Sequence, residues 1–329
     1  MKRPVTICSG QFGDLPLETL CREMHAIGYE GLELACQAHV DVDQVIASAQ
    51  YRENFLGTLK KYSMKIRAIS AHLMGQCVGD NPDPRLDNFA PKALAGKPEA
   101  IRAWAVEGMK KAARAAQLLD VKVVTCFLGS PLWPWWYSFP QTTPEMVEAG
   151  FQKIKELWTP IFDVCDACGV KLALEVHPTE IAFDYYSTKR LLETLEYRPT
   201  LGLNFDPSHL VWQGVDPAMF LRDFADRVYH VHMKDVKLSR DGRTGLLGSH
   251  LEFGDTRRGW NFVSLGHGDV DFDAIIRELN QMGYQGPLCV EWEDSGMERL
   301  RGAAEAFAFA SRMNFEPSDV AFDAALKAN

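Results

Sequence analysis

No stretch of the chain reaches the roughly 18 consecutive apolar residues that a membrane-crossing helix needs, so no membrane span is expected. Positive charge is in deficit. Thirty-five Lys and Arg stand against 44 Asp and Glu, a net of -9, which is a poor electrostatic match for nucleic acid or an anionic membrane. A disulfide framework is missing too, because the eight cysteines are scattered. Cys8, Cys36, Cys126 and Cys289 fall in strand-like runs and read as small apolar residues. Cys165-Asp166-Ala167-Cys168 has the C-x-x-C form. It sits near the end of a helical pattern, far from a second such pair, and does not read as a redox or zinc motif. Lys2 and Arg3 have no long apolar stretch behind them, which speaks against a secretory signal and leads us to expect a cytoplasmic protein. Finally, no Gly-rich phosphate turn follows the first strand-like run, which weighs against a doubly wound dinucleotide fold.

What is present is a regular alternation. Strand patterns at Val5–Cys8, Gly31–Ala35, Lys65–Ala71, Lys122–Phe127, Lys171–His177, Leu201–Asp206, Val228–Lys234 and Pro287–Glu293 are separated by helical spacing. The helical stretches are Leu17–Ile27, Gln50–Tyr62, Glu99–Leu119, Pro144–Cys168, Thr188–Leu195, Pro217–Phe224, Phe272–Met282 and Met297–Met313. Glycines in "AIGYEGLEL", "ACGVKLAL" and "MGYQGPLCV" mark helix ends. Eight strand–helix units predict one α/β domain over residues 1–329, a (β/α)8 TIM barrel over about 4–314 with a tail at 315–329. A short helix, Ser318–Leu326, is expected in that tail. Three long segments, Gly75–Pro98, Gly129–Thr143 and Lys237–Asp271, follow strands three, four and seven, so they extend the C-terminal face where barrel active sites lie.

The acids and histidines at the strand ends carry the chemistry. Glu175, Asp206, His232 and Glu291 close strands five to eight, which are neighbours on one barrel rim. Three converging carboxylates repel unless a cation joins them, so these four are the expected ligands of one divalent metal ion. Carboxylate and imidazole donors suit Mn²⁺, our first choice, or Mg²⁺, Co²⁺ or Zn²⁺. Around them, His177 reads either as a substrate group or as a partner of a loop carbonyl. His72 and Glu33 read as groups on the far side of the rim or as solvated strand ends. Lys234 either holds a substrate oxygen or balances the acids. The aromatic segment with Trp133 and Trp136 suits a sugar face or a flat aglycone, or else loop or subunit packing. Arg257 and Arg258 are candidates for an anion.

The motifs "LALEVHP", "LNFDPSH", "VYHVHMKD" and "GHGDVDFDAIIRELNQMGYQGPLCVEWED", in that order, resemble the xylose isomerase-like barrel superfamily of sugar isomerases and epimerases over about residues 4–314. The resemblance implies metal binding by Glu175, Asp206, His232 and Glu291. It prefers His232 to His230, and it gives His209 a role on substrate oxygens. It also implies an isomerase or epimerase that moves a proton beside a carbonyl through an enediolate, with Glu175 and Glu291 as the catalytic acids and a small sugar or polyol as substrate. The same chemistry with a leaving group gives a lyase or dehydratase acting on keto-inositols or 3-keto-glycosides. The apurinic endonuclease branch needs a basic surface, which the charge opposes, and a non-catalytic barrel would not need all four ligand types. A homo-oligomer is compatible with the resemblance.

Overall fold

The computed structural model describes residues 2–320, 323 and 324. Among the described residues ten strands form: β1 Val5–Cys8, β2 Gly31–Ala35, β3 Lys65–Ser70, β4 Val123–Cys126, β5 Lys171–Glu175, β6 Leu201–Phe205, β7 Val228–Met233, β8 Asp235–Leu238, β9 Trp260–Val263 and β10 Leu288–Val290. All but β8 and β9 close into one parallel barrel, in the order β1-β10-β7-β6-β5-β4-β3-β2. The eight expected strands and eight expected helices are all present, with ends shifted by a few residues. Six of the eight barrel strands stop short of the expected ends, which leaves Asp206 and Glu291 just past the last residues of β6 and β10. Asp206 illustrates this, because it caps a short helix, Pro207–Val211, instead of ending a strand.

The helix boundaries follow local chemistry. Thr143 accepts from the Met146 amide at the start of the 25-residue helix Pro144–Cys168, and Gly169 ends it in the left-handed region at φ 67°. That helix buries Phe151, Ile154, Trp158, Ile161, Phe162 and Cys165 against the barrel. All eight cysteines are free, as their scatter predicts. Among the described residues, no helix is long and apolar enough to cross a membrane.

Two of the long segments are more ordered than expected. The first opens with a helix, His72–Gly79, whose glycine face lies on the strand-four backbone. A Cβ on Gly75 would sit 2.0 Å from the Phe127 carbonyl oxygen. The second is the segment after β7, where β8 and β9 pair antiparallel in a hairpin. Asp235, at the hairpin root, accepts from the Val236, Gly266, Gly268 and Val270 amides. In the tail, residues 318–320 are not helical, and residues 321, 322, 325 and 326 of the expected helix Ser318–Leu326 lie outside the described residues.

A clamp of one buried and one half-buried acid fixes the loop after β4. Glu180 accepts from the Leu128 and Gly129 amides, both at 2.6 Å, and Asp80 accepts from the Ser130 amide at 2.7 Å. Burial and the nearby Asp80 push the Glu180 carboxyl up to about 8, against the pull of those amides. Burial likewise pushes Asp80 up to about 6.

Two outcomes follow from this packing. Gly75→Ala is expected to cost about 1–3 kcal/mol in denaturant unfolding, since its methyl meets backbone that cannot rotate away. The raised Glu180 carboxyl favours the folded state fully only below its ordinary value near 4.5, and that contribution is lost as pH rises to about 8. Unfolding free energy should therefore fall between about pH 5 and pH 8 by up to a few kcal/mol, at about 1.4 kcal/mol per pKa unit. Glu180→Gln, which keeps an oxygen for both amides, should flatten that slope.

Candidate active site

Glu175 ends β5, Asp206 follows β6, His232 lies in β7 and Glu291 follows β10. Barrel closure places these elements side by side, and one donor atom from each of the four side chains lies within 4.8 Å of the others. His232 Nδ1 is 3.1 Å from Glu175 Oε2 and 3.2 Å from Glu291 Oε2. Asp206 Oδ1 is satisfied by the Ser208 amide and hydroxyl at 2.8 and 2.7 Å. Its other oxygen, Oδ2, is buried without a hydrogen-bond partner. His209 Nε2 is also buried without an aligned partner, although it lies 3.2 Å from Glu175 Oε1 and 3.5 Å from Asp206 Oδ2. Orphaned buried atoms of this kind are costly unless a ligand completes them. Hard oxygens plus one imidazole are the donors a divalent cation takes, so the residues fit such an ion.

The charges are strained in the way such a site implies. Burial opposes ionisation of Glu175, and the surrounding His209, His232 and His72 overcome it, holding the carboxyl well below its ordinary range. Burial also opposes ionisation of Glu291, and Lys234 draws it down to about 2. Asp206 goes the other way, raised by burial and then by Glu175 and Glu291. His232 is held well above the ordinary imidazole range, because Glu33 and Glu291 outweigh its burial.

Most of the other expected residues gather round this cluster. His72 is the first residue of its helix rather than a strand end, and its Nε2 reaches Glu175 Oε2 at 3.2 Å while Nδ1 contacts the Ser70 hydroxyl at 2.7 Å. His177 packs on His209, ring centroids 4.1 Å apart, and burial followed by His209 holds it well below its ordinary range, as a neutral ring. Lys234 is buried, with Nζ 3.1 Å from Glu291 and 3.2 Å from Glu293, and it lies 4.2 Å over the Phe262 ring. Trp133 and Trp136 line a hollow of about 340 Å³ with Phe183, Tyr186 and Arg190, one whose wall includes none of the four cluster residues. Arg257 pairs with Asp255 on the surface, and Arg258 stacks on Phe253 and Trp260.

Several neighbours escape a reading of the sequence. Asn204 donates to Glu175 Oε2 at 3.0 Å, yet in "LGLNF" it reads as an ordinary strand residue. Glu293 joins Lys234 to Gln11, whose amide nitrogen is 2.9 Å away. Phe262 arrives on the hairpin and meets His209 edge-on at 5.2 Å. Glu33 is the correction. It is neither on the rim nor solvated but fully buried inside the barrel, bonded to His230 and His232. The signal was available, since a lone acid between Leu32 and Leu34 in a barrel strand needs an internal partner.

A closed parallel barrel with a carboxylate–imidazole cluster at its C-terminal rim defines a TIM barrel with a candidate metal centre. The chain belongs to the xylose isomerase-like TIM barrel family, whose model matches residues 20–313. It is 28% identical over 314 residues to the Uncharacterized protein YfiH of Bacillus subtilis (strain 168), covering 88% of this chain and 92% of that one. It is 29% identical over 179 residues to an inosose dehydratase of Geobacillus kaustophilus (strain HTA426), covering 52% of this chain and 55% of that one. In fold it is similar to the 3-keto-D-glucoside 4-epimerase YcjR of E. coli, with a TM-score of 0.66, 15% identity, and 94% of this chain and all of that one covered.

The crowding of like charge has a measurable consequence. Asp206→Asn preserves the bonds to Ser208 and removes one of the converging charges. It should stabilise the metal-free protein at neutral pH, because burial and the like charges of Glu175 and Glu291 oppose the ionisation of Asp206. Added Mn²⁺ should raise the melting temperature of the parent protein by mass action, and Asp206→Asn should abolish that rise.

Proposed function

We propose that the chain is a divalent-metal-dependent enzyme that takes the proton beside the ketone of a small keto-polyol and then expels water, a lyase. The observation that carries this reading is the convergence of Glu175, Asp206, His232 and Glu291 with an Asp206 oxygen buried without a hydrogen bond. These four would hold the ion, Mn²⁺ being the first candidate. When bound there, a divalent ion supplies Lewis acidity that lowers the energy of an enediolate.

The chain's own residues divide the remaining work. Glu291 is the most open of the four, with its side chain 15% exposed against 2% for Glu175, and it is the proton acceptor in this reading. The Lys234 ammonium, held well above its ordinary range by Glu291 and Glu293 against its burial, balances negative charge growing on the ketone oxygen. The C–H electron pair becomes a C=C bond and the β-hydroxyl departs as water, taking a proton from His209. Phe262 and Phe127 exclude solvent on the hairpin side and the His177 side. The similarity to an inosose dehydratase supports this outcome over others, and it spans about half of that relative.

A second reading is epimerisation. It draws on Glu175 and Glu291 reaching the same His232 nitrogen from different strands, so that one removes a proton and the other returns it. Trp133 and Trp136 have no part in either reaction as drawn.

The metal-loaded protein with a keto-inositol in D₂O tests the proposal. Dehydration appears as loss of one water by mass with new ultraviolet absorbance. Epimerisation appears as hydrogen–deuterium exchange without water loss, and neither signal across keto-inositols and ketoses removes the proposal. Glu291→Gln should lower turnover by about 10²–10⁴-fold, the usual share of general acid–base catalysis.

A further inference from the structure

The metal cluster rests on a second, deeper one. Glu33 of β2 lies inside the barrel with no solvent exposure. Its Oε2 is 2.8 Å from His232 Nε2, 2.9 Å from His230 Nε2 and 3.4 Å from Cys289 Sγ. Its Oε1 accepts from the Thr125 hydroxyl at 2.5 Å. Strands β2, β4, β7 and β10 thus converge on one carboxylate, and His232 is the only residue shared with the cluster above.

His232 is therefore read from both ends. Nδ1 faces Glu175 and Glu291, and Nε2 faces Glu33. An ionised carboxylate accepts hydrogen bonds and donates none. Both ring nitrogens face carboxylates, but a cation among the rim acids would take the place of the Nδ1 hydrogen, while Nε2, 2.8 Å from Glu33, keeps its own.

The deeper group also contains the residue types of a zinc site, but its spacing is wrong for one. Glu33 Oε2 meets both histidine nitrogens at hydrogen-bond lengths, 2.8 and 2.9 Å, and those bonds use the donors an ion would need.

We propose that Glu33 is the positioning residue of the metal centre: its bond to His232 Nε2 fixes the tautomer that presents Nδ1 to the ion, with Thr125, His230 and Cys289 holding Glu33 in place. This rests on the metal reading of Glu175, Asp206, His232 and Glu291. A carboxylate behind a ligating imidazole both orients the ring and makes it a stronger donor, and losing such a partner typically costs about 10–100-fold in metal affinity.

The test uses Zn²⁺ as the probe, because it is diamagnetic. In the ¹⁵N-histidine-labelled, Zn²⁺-loaded protein, His232 should show a protonated Nε2 and a metal-shifted Nδ1. A protonated Nδ1, or Nε2 on the metal, overturns the proposal, and this measurement needs no variant to fold. Chelator competition then gives affinities for the parent, Glu33→Gln, Glu33→Asp and His230→Gln. Glu33→Gln should bind Zn²⁺ about 10–100-fold more weakly. Glu33→Asp should recover part of the loss, and His230→Gln, which disturbs the same buried group but spares the His232 bond, should stay within about threefold of the parent. Parent-like affinity in a folded Glu33→Gln, or an equal loss in His230→Gln, refutes a positioning role. A parent protein that binds no Zn²⁺ refutes the metal reading itself, and that result is visible before any variant is compared.

Discussion

Three carboxylates forced together in a buried rim are the constraint around which this barrel is organised. Glu175, Asp206 and Glu291 repel one another, and burial strips away the water that would screen them. Every cationic or donating group nearby answers that repulsion. Lys234 lies between Glu291 and Glu293, His232 touches two of the acids, and Asn204 and His72 both reach Glu175 Oε2. Asp206 retains a bare oxygen after all of this. A protein that needed these acids only for packing would be more stable with apolar residues in their place, so their retention points to function.

The barrel was readable because its pattern is local. Strand and helix signals depend on spacing within ten or twenty residues, and helix ends such as Thr143 and Gly169 follow from the chemistry of a single residue. The four rim residues were readable for a related reason: each sits where its strand ends, and barrel closure makes successive strand ends neighbours. The deeper arrangement depends on pairs far apart in the chain. Glu33 meets His232 across 199 positions, and Glu180 meets Leu128 across 52. No local spacing names the partner in such pairs: an acid between Leu32 and Leu34 calls for a buried partner without saying which strand supplies it. The segment after β7 was hidden for another reason. Its Gly- and Arg-rich composition masks two strands of only four residues each, which are held by stacking of Trp260 on Trp212 at 4.4 Å more than by strand propensity.

The two clusters divide the barrel interior by chemistry. Above, oxygen-rich donors face the rim, where a ligand can enter. Below, Glu33 gathers Thr125, His230 and Cys289 in a sealed layer with no solvent contact. His232 spans the two, which makes β7 the strand on which both depend. The aromatic segment stands outside this axis: Trp136 is half exposed, and its hollow opens beside the helix Tyr185–Thr194.

The hairpin after β7 is stitched shut at its base. Asp235 grips the amides of residues 266, 268 and 270, so both ends of the excursion are pinned beside the barrel whatever happens at its tip. Residues 239–259 can therefore lengthen, shorten or change composition while Phe262 keeps its place under Lys234. Such a design separates the chemistry of the rim from the shape of its entrance. Evolution could retune the mouth of the site through that tip without disturbing the charges beneath it.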